Sequence, residues 1–276
     1  VSRSAGRPWP VLLLLWTLAI TATPPVAAAT TAQPVVSIII DDLGKRESSG
    51  RRAVDLPGPV ACAFLPHARH SVSLATAAHG ARKEVLLHLP MQSMDGRPLD
   101  PGALRLDMTE QEFGQMLAED LAAIPYVSGI NNHMGSLLTR HPGHMLWLMR
   151  ALRRHGDLYF VDSRTTDATV ARRLARETGV PSTERRVFLD NEAQPRAIAA
   201  QFERLIGLAR REGAALAIGH PYPQTLAFLE QELPKLARRG VRLVPVAELI
   251  RLQQQEEQTW QASLSHSPRA ARNSKP

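Results

Sequence analysis

Six apolar runs in this chain end in side chains that can hold a metal ion or move a proton. Residues 35–40 lead into Asp41-Asp42, residues 84–87 into His88, and residues 126–130 into Asn131-Asn132-His133. Residues 158–161 lead into Asp162 with Arg164 close behind, residues 187–189 into Asp190, and residues 214–219 into His220. Two adjacent carboxylates repel, a cost met by a cation or by one held proton. A single Asp-Asp reads more simply as a helix cap beside a solvated acid. A single histidine after an apolar run reads as a hydrogen-bonded structural residue. Three histidines and up to four carboxylates in the same kind of position read differently. Imidazole and carboxylate groups in a facial set with open positions suit catalytic zinc or another divalent ion. His67, His70, His79, His141, His144 and His155 fall in loops, helices or helix ends and are read as surface residues.

Those side chains need elements that bring them to one place. The apolar runs are short and rich in β-branched residues, as buried parallel strands are. Strands are expected at residues 35–40, 60–65, 84–90, 126–130, 158–164, 187–190, 214–221 and 241–245. Helical patterns separate them. Residues 71–80 are alanine-rich, and Thr109 with Glu112 forms a capping box ahead of Phe113, Met116, Leu117, Leu121 and Ile124. Further helices are expected over 142–155, from a cap at Asp167 to Gly179, from Pro195 onward, and over 224–239. Strands alternating with helices give βα units and a parallel sheet. Seven or eight of them suggest a closed or nearly closed barrel, whose carboxyl edge collects ligands. The long loop over 91–106 would line that edge.

The chain has 276 residues, enough for one large α/β domain or two small ones. One cysteine, Cys62, excludes an intramolecular disulfide and a thiolate cluster, and its apolar surroundings mark it as buried and inert. The net charge is +7, but residues 30–250 hold 27 basic against 24 acidic residues. With few aromatics and no nucleic-acid motif, the charge does not argue for nucleic-acid binding. Residues 1–29 read as a cleaved signal peptide: Arg3 and Arg7, an apolar stretch from Val11 to Ile20, then Ala27-Ala28-Ala29. The stretch is shorter than the roughly 20 residues of a membrane-spanning helix, so no stable span is expected if the signal is cleaved; an uncleaved anchor is the other outcome. A periplasmic or secreted location follows. Residues 251–276 are glutamine-rich, then basic, and are expected to form a disordered tail.

Taken together, Ile38-Ile39-Ile40-Asp41-Asp42-Leu43-Gly44, His88-Leu89-Pro90-Met91, Asn131-Asn132-His133-Met134-Gly135-Ser136, Asp162-Ser163-Arg164-Thr165 and Ile218-Gly219-His220-Pro221 resemble the divergent polysaccharide deacetylases, relatives of the carbohydrate esterases. The resemblance covers about residues 34–250 and implies a distorted (β/α) barrel. It also implies that Asp41 is the general base, Asp42 a metal ligand and His220 the general acid. The two further ligands of ordinary polysaccharide deacetylases come from one His-x-x-x-His segment. No such segment stands at the matching place in this chain, and His88 and His133, from separate strands, are the ligand candidates. Asp162 and Arg164 would orient His220 or the base, with Asn132 beside the substrate. The expected function is an exported hydrolase, dependent on a divalent metal such as zinc, that deacetylates an N- or O-acetylated envelope polysaccharide or oligosaccharide. The alternative is a secreted carbohydrate-binding protein that keeps the barrel without catalysis.

Overall fold

The computed structural model describes residues 1–2 and 33–265. The chain divides into two units, Val1–Thr31 and Ala32–Pro276, and all the secondary structure described belongs to the second. The expected signal peptide, beyond its first two residues, and residues 266–276 lie outside the described residues. Among the described residues no helix is long and apolar enough to cross a membrane.

The elements run β1 (Val35–Leu43), α1 (Glu47–Val54), β2 (Ala61–Phe64), α2 (Ser71–Gly80), β3 (Val85–Met91), α3 (Glu110–Ala123) and β4 (Val127–Met134). There follow α4 (Pro142–His155), β5 (Tyr159–Asp162), α5 (Ala171–Thr178), β6 (Ser182–Glu184), β7 (Val187–Phe188), α6 (Pro195–Glu212) and β8 (Ala214–Gly219). The chain continues with α7 (Pro223–Glu232), β9 (Arg242–Leu243) and α8 (Val246–Ser265). The strands form one sheet in the order β6-β5-β4-β3-β2-β1-β8-β7, and β9 joins the start of β1. Every pairing is parallel, as connections through helices require. The sheet curls into a distorted barrel, interrupted between β6 and β7. There the chain itself crosses the gap: Arg185 donates its backbone N–H to Asp162 O at 2.9 Å, and Arg186 donates to Leu216 O at 2.8 Å.

Each face of the curled sheet has its own core. On the convex face Val36, Ile38, Ile40, Leu87, Leu89, Ile130 and Phe160 pack with residues of the surrounding helices. On the concave face Ile39, Ala61, Ala63, Leu86, Val161, Leu216 and Ile218 pack with Leu249 and Ile250 of α8. Both faces of β1 are therefore buried, which is why its sequence is continuously apolar rather than alternating. Each fully buried isoleucine contributes about 1.5–3 kcal/mol. Cys62 is buried in β2, where burial pushes its thiol up to about 12, as expected of an inert core residue.

Three helix boundaries and one strand differ from the sequence expectation. The helix expected over 224–239 ends at Glu232 and gives way to two single 3₁₀ turns, because Pro234 has no N–H to continue the ladder. Asp167 does not cap α5; it pairs with Arg164 at 3.1 Å, and the helix starts at Ala171. The strand β6, three residues long, carries too few side chains to show a pattern. The tail expected to be disordered from residue 251 instead extends α8 to Ser265. Two anchors explain it: Leu249 and Ile250 are buried in the concave core, and Gln253 Oε1 accepts a hydrogen bond from Thr183 at 2.9 Å. At its start the Glu84 carboxylate accepts the backbone N–H groups of Val246 and Ala247. The glutamine-rich run that looked unstructured is also a good helix-forming composition.

Candidate metal centre and catalytic pocket

The alternation of side chains along a strand decides which polar strand ends reach the concave side. Ile39, Leu86 and Ile218 face the concave core, so Asp41, His88 and His220, each two residues further on, point toward the same end of the barrel. In β4, Ile130 faces outward, which turns Asn131 and His133 inward. Asp42 would face outward by the same rule. A register shift between Ile40 and Leu43 and a left-handed backbone at Asp42 (φ 57°) turn it back toward its neighbour. The bulge is how two adjacent aspartates serve one site.

Three ligand atoms converge there. Asp42 Oδ1 lies 3.0 Å from His133 Nδ1 and 3.3 Å from His88 Nε2, and the two ring nitrogens are 3.1 Å apart. Asp42 Oδ1 is buried and, despite these short distances, has no properly angled hydrogen-bond partner. The outer partners of the rings fix their tautomers. His88 Nδ1 donates to Asn131 Oδ1 at 3.0 Å, and His133 Nε2 faces Asp100 Oδ2 at 3.0 Å. With those outer positions engaged, the inward nitrogens are the ones left to offer lone pairs to an ion, beside a carboxylate oxygen. Such a triangle calls for positive charge at its centre. A tetrahedral ion with ligands at about 2.0–2.2 Å sets them roughly 3.3–3.5 Å apart. The observed sides need to open by at most about 0.5 Å to reach that spacing. Asp42, His88 and His133 thus fit a divalent ion.

The electrostatics separate the two aspartates. Burial raises the pKa of both, but contacts with His133 and His88 outweigh it at Asp42 and hold that carboxyl well below the usual range. Asp41, 3% exposed, is raised by burial, with His88, His220 and the Asn131 hydrogen bond opposing the rise. Asp41 Oδ1 accepts the Asn131 amide at 2.8 Å, so Asn131 ties the base candidate to a metal ligand. Burial lowers the pKa of His88, yet the carboxylates of Asp41 and Asp42 raise it to about 8.

His220 follows β8, which pairs with β1 on the side away from β3, and its Nε2 lies 3.9 Å from Asp42 Oδ2. Its Nδ1 donates to Asp190 Oδ1 at 2.9 Å, while Asp190 Oδ2 accepts its backbone N–H at 2.7 Å and the Thr225 hydroxyl at 2.8 Å. Burial lowers the pKa of His220, but the bond and charge of Asp190 outweigh this and the pKa is raised. The ring lies between Phe188, stacked at 5.2 Å, and Tyr222, tilted at 5.4 Å. Asp41, Asp42, His88, His133, Asp190 and His220 line one cleft of about 430 Å³, with Ser93, Asp95 and Arg97 of the long loop on its wall.

Of the residues singled out from sequence, Asp41, Asp42, His88, His133 and His220 meet in this cleft. Asp162 and Arg164 do not orient His220. Val161 faces the concave core, so Asp162 faces the helices, where it accepts from Arg164 N and Thr169 Oγ1. Arg164 pairs with Asp167 and Glu184 outside the cleft. Asn132 is among the residues that line the cleft. Its amide spans Ser163 N and Met134 O at 2.8 Å each, joining β4 to the chain after β5. The orienting roles belong instead to Asn131, Asp100 and Asp190. For Asn131 and Asp190 the inward set of the two-residue alternation was the available signal. Asp100 sits in a loop without periodicity and gave none. His144, read as a surface residue, is buried beside Phe113 and Trp147.

Comparison with known proteins agrees with this architecture. The profile of the family described as divergent polysaccharide deacetylase matches residues 38–250. The uncharacterized protein YibQ of Escherichia coli (strain K12) is 41% identical over 196 residues, which make up 71% of this chain and 61% of that protein. The chain thus spans about three fifths of that relative's length. Among solved structures, uncharacterized protein ATU2773 from Agrobacterium tumefaciens C58 aligns with a TM-score of 0.75 at 22% identity, over 80% of this chain and 91% of that one. A mutant of BA3943, a CE4 family pseudoenzyme with restored enzymatic activity, aligns with a TM-score of 0.51 at 14% identity, over 80% and 68% of the two chains. At those identities the two structures show a shared fold. The profile match begins inside β1 and ends in α8, taking in all five residues that meet in the cleft, and the chain belongs to the divergent polysaccharide deacetylase family.

Proposed function

We propose that this protein is a metal-dependent hydrolase that removes acetyl groups from an N- or O-acetylated envelope polysaccharide or oligosaccharide. The observation that carries the reading is one cleft holding a three-atom ligand set, a buried carboxylate beside it and a histidine oriented by its own aspartate. Asp42, His88 and His133 would hold the ion, and two imidazoles with one carboxylate suit zinc. When bound, such an ion supplies Lewis acidity toward water and the acyl oxygen. Asp41 takes the proton of the attacking water, and Asn131 fixes the carboxylate in place for that step. Its raised pKa brings it closer to the working pH of a base than an ordinary aspartate. His220, kept protonated by Asp190, gives its Nε2 proton to the departing amine or alcohol as the bond to the acyl carbon breaks. The products are acetate and the freed amino or hydroxyl group; Asp41 then loses its proton to solvent and His220 regains one from it. The pattern of residues 1–29 supports action outside the cytoplasm.

The test joins elemental analysis of the purified chain to acetate release from acetylated glycans. About one divalent ion per chain and metal-dependent acetate release are expected. Bound metal without acetate release from any acetylated glycan would favour the carbohydrate-binding alternative.

A further inference from the structure

A second cleft, of about 510 Å³, opens beside the first and shares Phe188 and Asn191 with it. Its walls carry four arginines, Arg164, Arg185, Arg186 and Arg204, against two carboxylates, Asp167 and Glu184. Both carboxylates are already engaged: Asp167 by Arg164, and Glu184 by Arg164 and Arg172. Arg186 pairs with Glu212. Arg185 and Arg204 have no carboxylate partner among the described residues.

Arg185 is built in. Its Nε and Nη2 donate to the carbonyls of Ser163 and Arg164 at 2.7 Å each, and its guanidinium lies 4.7 Å from the centre of the Phe188 ring. Nη1 takes part in neither bond. The other face of the arrangement is functional, since Phe188 also stacks on His220. Burial and the neighbouring charge of Arg164 depress the pKa of Arg185, against the opposing charges of Asp162, Asp41 and Asp167. Arg204, exposed on α6, lines the same cleft. A guanidinium fixed in this way keeps Nη1 unengaged, and with Arg204 on the same cleft it can give charge-assisted hydrogen bonds to the oxygens of a carboxylate or phosphate.

We infer that this arginine cleft binds an anionic substituent, a carboxylate or phosphate, on the same saccharide whose acetyl group enters the metal-side pocket. The inference rests on the deacetylase reading for the saccharide, and it narrows the substrate class to acidic glycans.

Calorimetric titration of the full, chelator-treated chain at low salt tests it without needing turnover. The probes are a hyaluronan tetrasaccharide, which alternates glucuronate with N-acetylglucosamine, and neutral chitotetraose. The acidic probe should bind about ten-fold more tightly, the scale of one charge-assisted hydrogen bond. Arg204→Gln should remove most of that preference and Arg204→Glu should abolish it. As Arg204 is exposed, neither change threatens the fold. Displacement by methyl glucuronide or by N-acetylglucosamine 6-phosphate separates a carboxylate site from a phosphate site. Equal affinities, no binding of the acidic probe, displacement by neither monosaccharide, or a preference untouched by both variants would overturn the inference. Acetate release from chitotetraose by the metal-loaded chain is measured in parallel. Release without acid preference removes the anion site and leaves the hydrolase; preference without release does the reverse.

Discussion

Asp190 grips His220 twice, taking the ring Nδ1–H on one carboxylate oxygen at 2.9 Å and the backbone N–H of the same residue on the other at 2.7 Å. The side chain and main chain of the acid candidate are therefore set by one group. Removing the negative charge should lower the pKa of His220, because Asp190 leads Asp41 and Asp42 in raising it against burial. The protonated form would then be lost at lower pH. Asp190→Asn should shift the alkaline limb of the kcat/KM profile toward acid and slow N-acetyl substrates by roughly 10²–10⁴-fold. An activated ester such as 4-nitrophenyl acetate, whose leaving group needs little proton assistance, should lose far less. Equal losses on both substrates with an unmoved profile would reduce Asp190 to a structural role.

The paired aspartates should separate cleanly in metal content. Asp42 faces both bare imidazole nitrogens, whereas Asp41 is tied to Asn131. Asp41→Asn should keep the metal and cut turnover by roughly 10²–10⁴-fold. Asp42→Asn should weaken metal binding first and lose activity as a consequence. Plasma emission analysis of the dialysed variants, beside their acetate release, reads both. Metal lost from Asp41→Asn and kept by Asp42→Asn would reverse the roles.

Neighbouring asparagines give the same kind of contrast. Asn131 holds the tautomer of His88 and the position of Asp41, so Asn131→Ala should weaken metal affinity by roughly 10–100-fold. Asn132 satisfies the buried Ser163 N–H instead, and Asn132→Ala should cost about 1–3 kcal/mol of stability from the orphaned donor. Chelator competition and thermal melts measure the two effects. Stability loss confined to Asn131→Ala, or affinity loss confined to Asn132→Ala, would contradict the inward and outward assignment of β4.

That assignment also explains what could be read from the sequence. The parallel sheet, the strand ends and the five residues of the cleft follow from apolar runs with polar tips, because a buried strand leaves little else to vary. Which tip residue turns inward depends on counting in twos from a core residue. The count favours Asn131 over Asn132 and excludes Asp162, once the facing of Ile130 and Val161 is known. Facing is a tertiary fact, set by which side the helices cover, and no local pattern shows it. Asp42 breaks the count through its bulge and reaches the cleft, where strict alternation would have turned it outward. The hold of Asp100 on His133 crosses from an irregular loop and had no sequence signal.

The loop carrying Asp100 rests on a titratable pair, a buried aspartate and an exposed histidine, which predicts a pH limit on the fold. Asp120 of α3 is fully buried, its Oδ1 is 2.7 Å from His67 Nε2, and its Oδ2 has no hydrogen-bond partner. Gly102 presses its backbone onto this pair at φ +84°: a Cβ there would lie 2.2 Å from Asp120 Oδ1 and 2.9 Å from His67 Cδ2. Burial, helped by the charge of Glu119, pushes the Asp120 carboxyl up to about 8. An unfolded aspartate titrates near 3.9 (about 4 units lower), so between the two values the native state holds a proton that the unfolded chain has released. The stability this contributes is complete below about pH 4 and is lost as pH rises through about 8. Melting temperature should therefore fall between pH 5 and pH 9. Asp120→Asn, which keeps the shape and cannot ionise, should flatten that fall, while Asp95→Asn on the exposed part of the loop should leave it unchanged. If the wild-type and Asp120→Asn curves run parallel across that range, the proton is not held at this pair. If they diverge, the loss of metal affinity at alkaline pH should diverge with them, since the loop that loosens is the one that orients His133.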